Sequence, residues 1–261
     1  MLTVISPAKR LDEGAKALPE GITATEPTFA DAARELAGVA ARLSPAELGK
    51  LMDISPALSD LNRARFAAFG GQTRVPAALI FAGDTYAGLE AAGLSADAWR
   101  WAGLHLRILS GLYGLLRPTD LIEPYRLEMG SRLANPRGKS LYDYWGSDLA
   151  HALNRQAEEV GARYLLNCAS IEYVSAVDPA ALRLPMVTPI FLEGQEGAAK
   201  VISFWAKKAR GAMARFVMEN RITDPADLCD FDLGGYRFQP AASEPGRLVF
   251  RREGQAALVA S

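Results

Sequence analysis

The chain has 261 residues, 49% of them apolar and 23% charged, with a formal net charge of −1. That profile belongs to a soluble globular protein with a substantial core, and it argues against a general polyanion binder or a membrane span. Two cysteines (Cys168, Cys229) and two distant histidines (His105, His151) provide neither a disulfide framework nor a zinc spacing.

In chain order, Met1-Leu2-Thr3-Val4-Ile5 reads as a short strand that stops at Pro7 and Lys9. It is too brief and wrongly charged for a signal peptide. A cytoplasmic protein without metal or cofactor is therefore expected. Ala30 to Leu43 reads as an amphipathic helix. Ser44-Pro45 and Ser55-Pro56 each place an N-cap before a first-turn proline, and Glu47 completes a capping box with Ser44. Two short helices joined at Met52-Asp53-Ile54 follow.

Four apolar runs then end abruptly and read as strands: Ala78–Phe81, Leu106–Leu109, Tyr164–Leu166 and Val201–Ile202. Phe191 to Ile202, broken by "EGQEG", reads as a hairpin. The expected fold is mixed α/β (α+β-like): one composite domain over residues 1–261, with a mixed sheet flanked by helices.

Ser203 to Phe216, "SFWAKKARGAMARF", combines helical apolar spacing with uncompensated charge. Trp205, Ala209, Ala212, Met213 and Phe216 share a core face, with Lys207, Lys208, Arg210, Gly211 and Arg215 on the other side. Between Lys200 and Arg221 six cations face the single acid Glu219, a local +5 that leaves about −6 for the rest. Such a surface is either a solvated face or a phosphate site. Gly211 costs a helix about 1 kcal/mol relative to alanine, so another backbone or a bulky ligand is expected to approach there.

A second cluster, "SGLYGLLRPTDLIEPYRLEMG", holds Arg117, Arg126 and Glu128 among prolines that fix the loop path. An Arg126–Glu128 pair that ties the loop down is the plainer reading of it. Lys9, Asp84, Asn167 and Glu172, with Ser170 and Tyr173 nearby, are the candidate catalytic residues. Asp84 and Ser170 can equally be helix caps. Lys9, just beyond the first strand, can equally be an ordinary surface lysine or, if buried, a nucleophile.

Taken together, "ISPAK", "GDTYAGL", "RILSGLYGLLRPTDLIEPYRLEMG", "NCASIEY" and "ISFWAKKARGAMARFVMENR" resemble the YaaA family of peroxide-stress proteins, in order and over essentially the whole chain. The resemblance implies a role in limiting iron-dependent oxidative damage. It also implies one mixed α/β domain with a helix-hairpin-helix element, which falls on residues 44–62, and a positively charged cleft that binds duplex DNA by backbone and shape. Carried over by motif, the cleft draws on Lys207, Lys208, Arg210 and Arg215, then on Lys9, Arg117 and Arg126. The turn departs from the DNA-binding pattern: Met52-Asp53-Ile54 has no glycine and carries a negative charge. The alternative function is an enzyme acting on a nucleotide or nucleic-acid base in the same cleft. One closed pocket lined by Lys9, Asp84, Glu172 and Lys207 would favour that alternative, and an open groove would favour a binder.

Overall fold

An apolar, β-branched run such as Leu2-Thr3-Val4-Ile5 is stable only where both faces are covered. The computed structural model describes residues 1–14 and 16–253, and there the run is β1 (Leu2–Ile5), buried inside a seven-stranded sheet. The helices α1 (Ala30–Ala41), α2 (Pro45–Met52) and α3 (Pro56–Ala67) follow, then β2 (Val75–Pro76), α4 (Ala77–Ile80), α5 (Asp84–Leu89) and α6 (Ala96–His105). The middle of the chain supplies β3 (Leu106–Ser110), β4 (Gly114–Leu116), β5 (Leu121–Ile122), α7 (Leu141–Trp145), α8 (Asp148–Val160), β6 (Leu165–Cys168) and α9 (Ile171–Val174). The last elements are β7 (Met186–Glu193), α10 (Ser203–Asn220), β8 (Arg237–Phe238) and β9 (Arg247–Arg252).

The sheet runs β4-β3-β1-β6-β7-β9-β8. Its five inner strands are parallel, with Thr3 opposite Leu106 and Leu166 on either side, and both edge strands are antiparallel. The sheet is mixed and helix-flanked, as expected. β2 and β5 form a separate antiparallel pair.

The capping pattern at Ser44 is realised in full. Ser44 Oγ accepts from the Glu47 N–H (3.3 Å), and Glu47 accepts from the Ser44 N–H (2.8 Å). Ser55 Oγ likewise accepts from the Leu58 N–H. α2 and α3 therefore form the expected helical pair. The N–H groups of Asp53 and Ile54 both donate to the Gly49 carbonyl, so this turn presents neither to a phosphate.

Two strand expectations fail. Ala78–Phe81 is mostly the helical turn α4, with Phe81 making only a lone bridge to Leu11. An apolar run buried on all sides reads the same in either conformation, and Pro76 starts this one as a helix. The expected hairpin is also absent. Glu193 and Lys200 exchange hydrogen bonds that close the "EGQEG" loop, but Val201 and Ile202 are exposed and lead into α10. β7 pairs instead with the distant β9.

α10 is buried on two sides. Beyond the face expected from its spacing, Gly211 is buried against α5. A Cβ on Gly211 would lie 1.8 Å from the Thr85 carbonyl oxygen, and one on Gly88 would lie 2.0 Å from that of Lys208. The approaching group is a backbone, so the two helices touch with no side chain between them. Gly211→Ala is expected to destabilise the protein by at least about 2 kcal/mol in urea denaturation through overpacking. In an exposed helix the same change would stabilise by about 1 kcal/mol.

Candidate functional site

β1 and β6 are neighbours, but after β1 the chain first builds β3 on the opposite side. Their C-terminal exits therefore diverge, and such a reversal of strand order opens a crevice at the sheet edge. The exits are tied at their base. Ser6 Oγ accepts from the Ser170 N–H (2.9 Å), its hydroxyl donates to Ser170 Oγ (3.3 Å), and the Tyr86 hydroxyl donates to the Ser6 carbonyl (3.1 Å). Ser170 thus serves the neighbouring strand exit, and it gives α9 no side-chain cap.

The crevice encloses about 570 Å³ and brings together Lys9, Asp84, Glu172, Lys207 and Arg210, with Glu128. Asp84 opens α5 but does not cap it. Gly83 occupies the cap position, and α5 has no side-chain cap. Glu172 is held in place, with one carboxylate oxygen accepting from the Gly130 N–H (2.9 Å). Its carbonyl accepts from the Tyr142 hydroxyl (2.8 Å).

Glu128 is the part of the site that sequence reasoning assigned only to a structural pair. Its Oε1 meets Arg126 Nε at 3.0 Å and Lys9 Nζ at 3.4 Å. Its Oε2 is buried without a hydrogen-bond partner. The Arg126–Glu128 pair exists, and Glu128 also lines the crevice. The only sequence signal for this second role was its place in a proline-fixed loop.

The cations divide into two groups. Lys207 and Lys208 are exposed, and among the described residues no acid pairs with either of them or with Arg210. Arg210 Nε donates to the Ala206 carbonyl (3.2 Å). Burial lowers its guanidinium pKa, and the facing Cys168 thiol is pushed up to about 12 by its own burial. That thiol is neutral and unreactive at ordinary pH.

The other basic candidates lie elsewhere. Arg215 bonds Glu90 and Glu219, Arg126 is committed to Glu128, and Arg117 lines a different cavity. Asn167 is buried on β6, donating to Thr188 Oγ1 (3.4 Å) and accepting from the Ala169 N–H (3.0 Å), outside the crevice. Lys9 has a side chain 68% exposed, so it is not a desolvated lysine. Among the described residues no cluster of His, Cys, Asp and Glu is arranged to hold a metal ion, and no helix is long and apolar enough to cross a membrane.

Comparison with known proteins gives this geometry a family. The model of "Peroxide stress protein YaaA" matches residues 1–242. The chain belongs to the YaaA family of peroxide stress proteins. Among its relatives, a UPF0246 protein of Dinoroseobacter shibae is 59% identical over 256 residues, covering 97% of this chain and 95% of the relative. Another from Cereibacter sphaeroides is 56% identical over 257 residues, covering 97% and 100%. A third, from Ruegeria pomeroyi, is 55% identical over 256 residues, covering 97% and 98%. Membership supports a peroxide-stress role for this YaaA-family protein.

The crevice geometry generates a stability test. Arg126→Met strands the Glu128 carboxylate, whose side chain is only 12% exposed, and should cost about 2 kcal/mol or more. Lys9→Met removes an exposed partner of the same carboxylate and should cost less than about 1 kcal/mol. Chemical denaturation of the two variants measures the difference.

Proposed function

We propose that the protein serves the peroxide-stress response by binding DNA at this crevice through backbone phosphates, and thereby helps limit iron-dependent oxidative damage. The supporting observation is the convergence of Lys9, Lys207 and Arg210 on one crevice. Lys208 stands next to Lys207, and the lysine pair has no acid partner among the described residues. Four such cations suit phosphate and carry no base-reading pattern, so recognition rests on charge and shape. Removing Arg117, Arg126 and Arg215 from the contact set makes the footprint smaller than the sequence implied.

A second reading is favoured by the carboxylates. Asp84, Glu128 and Glu172 share a half-open volume of about 570 Å³ with those cations, a size that accepts a nucleotide. A binder of phosphates has no use for carboxylates there, whereas chemistry on a nucleotide or base needs an acid or base beside the bound phosphate. Lys9, being exposed, would attract phosphate in either case.

Duplex DNA binding measured against salt tests the first reading. Each phosphate neutralised contributes about −0.9 to the slope of log K against log salt, so four contacts give about −3.6. Lys208→Glu should weaken binding and make the slope shallower by about one contact, while Arg215→Ala should leave both nearly unchanged. A salt-independent affinity would remove phosphate contacts from the account. Asp84→Asn and Lys9→Ala, assayed on a panel of nucleosides, nucleotides and damaged DNA, test the second reading. If wild-type protein consumes nothing in that panel, the enzyme reading falls.

A further inference from the structure

A second cavity, of about 520 Å³, shares no lining residue with the crevice. α6, α8, the Gly21–Thr25 segment and the turn carrying Arg117 and Thr119 enclose it. Its unusual member is Arg107. This arginine interrupts the apolar strand Leu106–Ser110 and is only 4% exposed.

Two backbone carbonyls fix its position, because Nη1 donates to Gly103 (2.9 Å) and Leu106 (2.7 Å). Neither Arg107 nor Arg117 has an ion-pair partner among the described residues. Asp120 is fully buried, and its carboxylate acts on both Arg107 and Arg117 without forming an ion pair with either. It accepts from the Thr25 hydroxyl (2.6 Å) and the Arg117 backbone N–H (2.7 Å). Glu159 is exposed at the rim, beyond ion-pair distance. Burial and then the Arg117 charge depress the Arg107 guanidinium to about 10, so it remains charged at neutral pH.

Three arginines line the cavity; Arg100 is paired with Asp97, which leaves Arg107 and Arg117, whose mutual repulsion Asp120 only partly offsets and whose planar forks match the oxygens of carboxylate or phosphate. Apolar side chains also line the cavity. Trp99 is buried there, and Leu104 is 52% exposed, a large aliphatic side chain left uncovered at the rim. We propose that this cavity binds a small organic oxyanion, its charged group bridging Arg107 and Arg117 and its apolar part covering Leu104. The site is independent of DNA binding at the crevice.

Calorimetric titration and thermal melting of the full chain test this site with four probes: phenyl phosphate, benzoate, inorganic phosphate and acetate. Phenyl phosphate or benzoate should raise the melting temperature more than the two anions that lack an apolar part. The stronger of the two identifies the charged group as phosphate or carboxylate. Arg117→Gln, which keeps the backbone bond to Asp120, should raise the dissociation constant at least tenfold and leave DNA affinity unchanged. Lys208→Glu should leave the response intact. Arg107→Met, which removes two hydrogen bonds to backbone carbonyls as well as the charge, should show no response to any probe, whatever its melting temperature without ligand. The proposal is overturned if no probe shifts the melt, if Arg117→Gln keeps the shift, or if inorganic phosphate and acetate act as strongly as their aromatic counterparts. An unchanged probe response in Arg107→Met would make Arg107 purely structural and would also overturn it.

Discussion

Everything at the crevice depends on two helices approaching until their backbones touch. Gly88 of α5 meets the Lys208 carbonyl, and Gly211 of α10 meets the Thr85 carbonyl. A Cβ on either glycine would sit 1.8 or 2.0 Å from the facing carbonyl oxygen, far inside contact distance, and would push the helices apart. Asp84, at the start of α5, would then separate from Lys207 and Arg210 on α10. The close contact is what sets an acid and two cations around one cavity. Each glycine forgoes intrinsic helix stability, and the packing that the contact allows offsets this.

The charges around that cavity are handled in two ways. Glu128 and Glu172 are clamped, one by Arg126 and one by a backbone N–H, so their oxygens stay where the loops put them. Lys207 and Lys208 are left to move in solvent. The crevice thus sets held acceptors beside exposed cations. The tie between Ser6 and Ser170 holds two parallel strand exits together where no sheet hydrogen bond remains.

Much of this was legible from residue order. The strand that ends at Ile5, the capped pair at Ser44 and Ser55, and the helix from Ser203 are all where local chemistry puts them. Gly211 was legible as a site of close approach, although its burial was not, because a helix packed on two sides leaves no clean amphipathic signal. Ala78–Phe81 was misread because burial on every side erases periodicity. Asn167 lies near the end of β6, and its side chain satisfies Thr188 and its own turn. Sequence shows that a polar residue sits at a strand end, but not which neighbour it finds. Glu128 was missed as a crevice residue for the converse reason: its pairing with Arg126 explained it too soon.

The placement of β1 has a consequence for how the chain is made. Leu2–Ile5 is synthesised before both of its partners, β3 and then β6, whose last residue is Cys168. At roughly 5–20 residues per second of synthesis, its second neighbour arrives about 10–30 s after β1 emerges. For that interval an entirely apolar or β-branched segment has one edge open and nothing in sequence nearby to cover it. Until β6 arrives that edge is open to pairing with another chain, so the slower the synthesis, the longer β1 is exposed to misassembly.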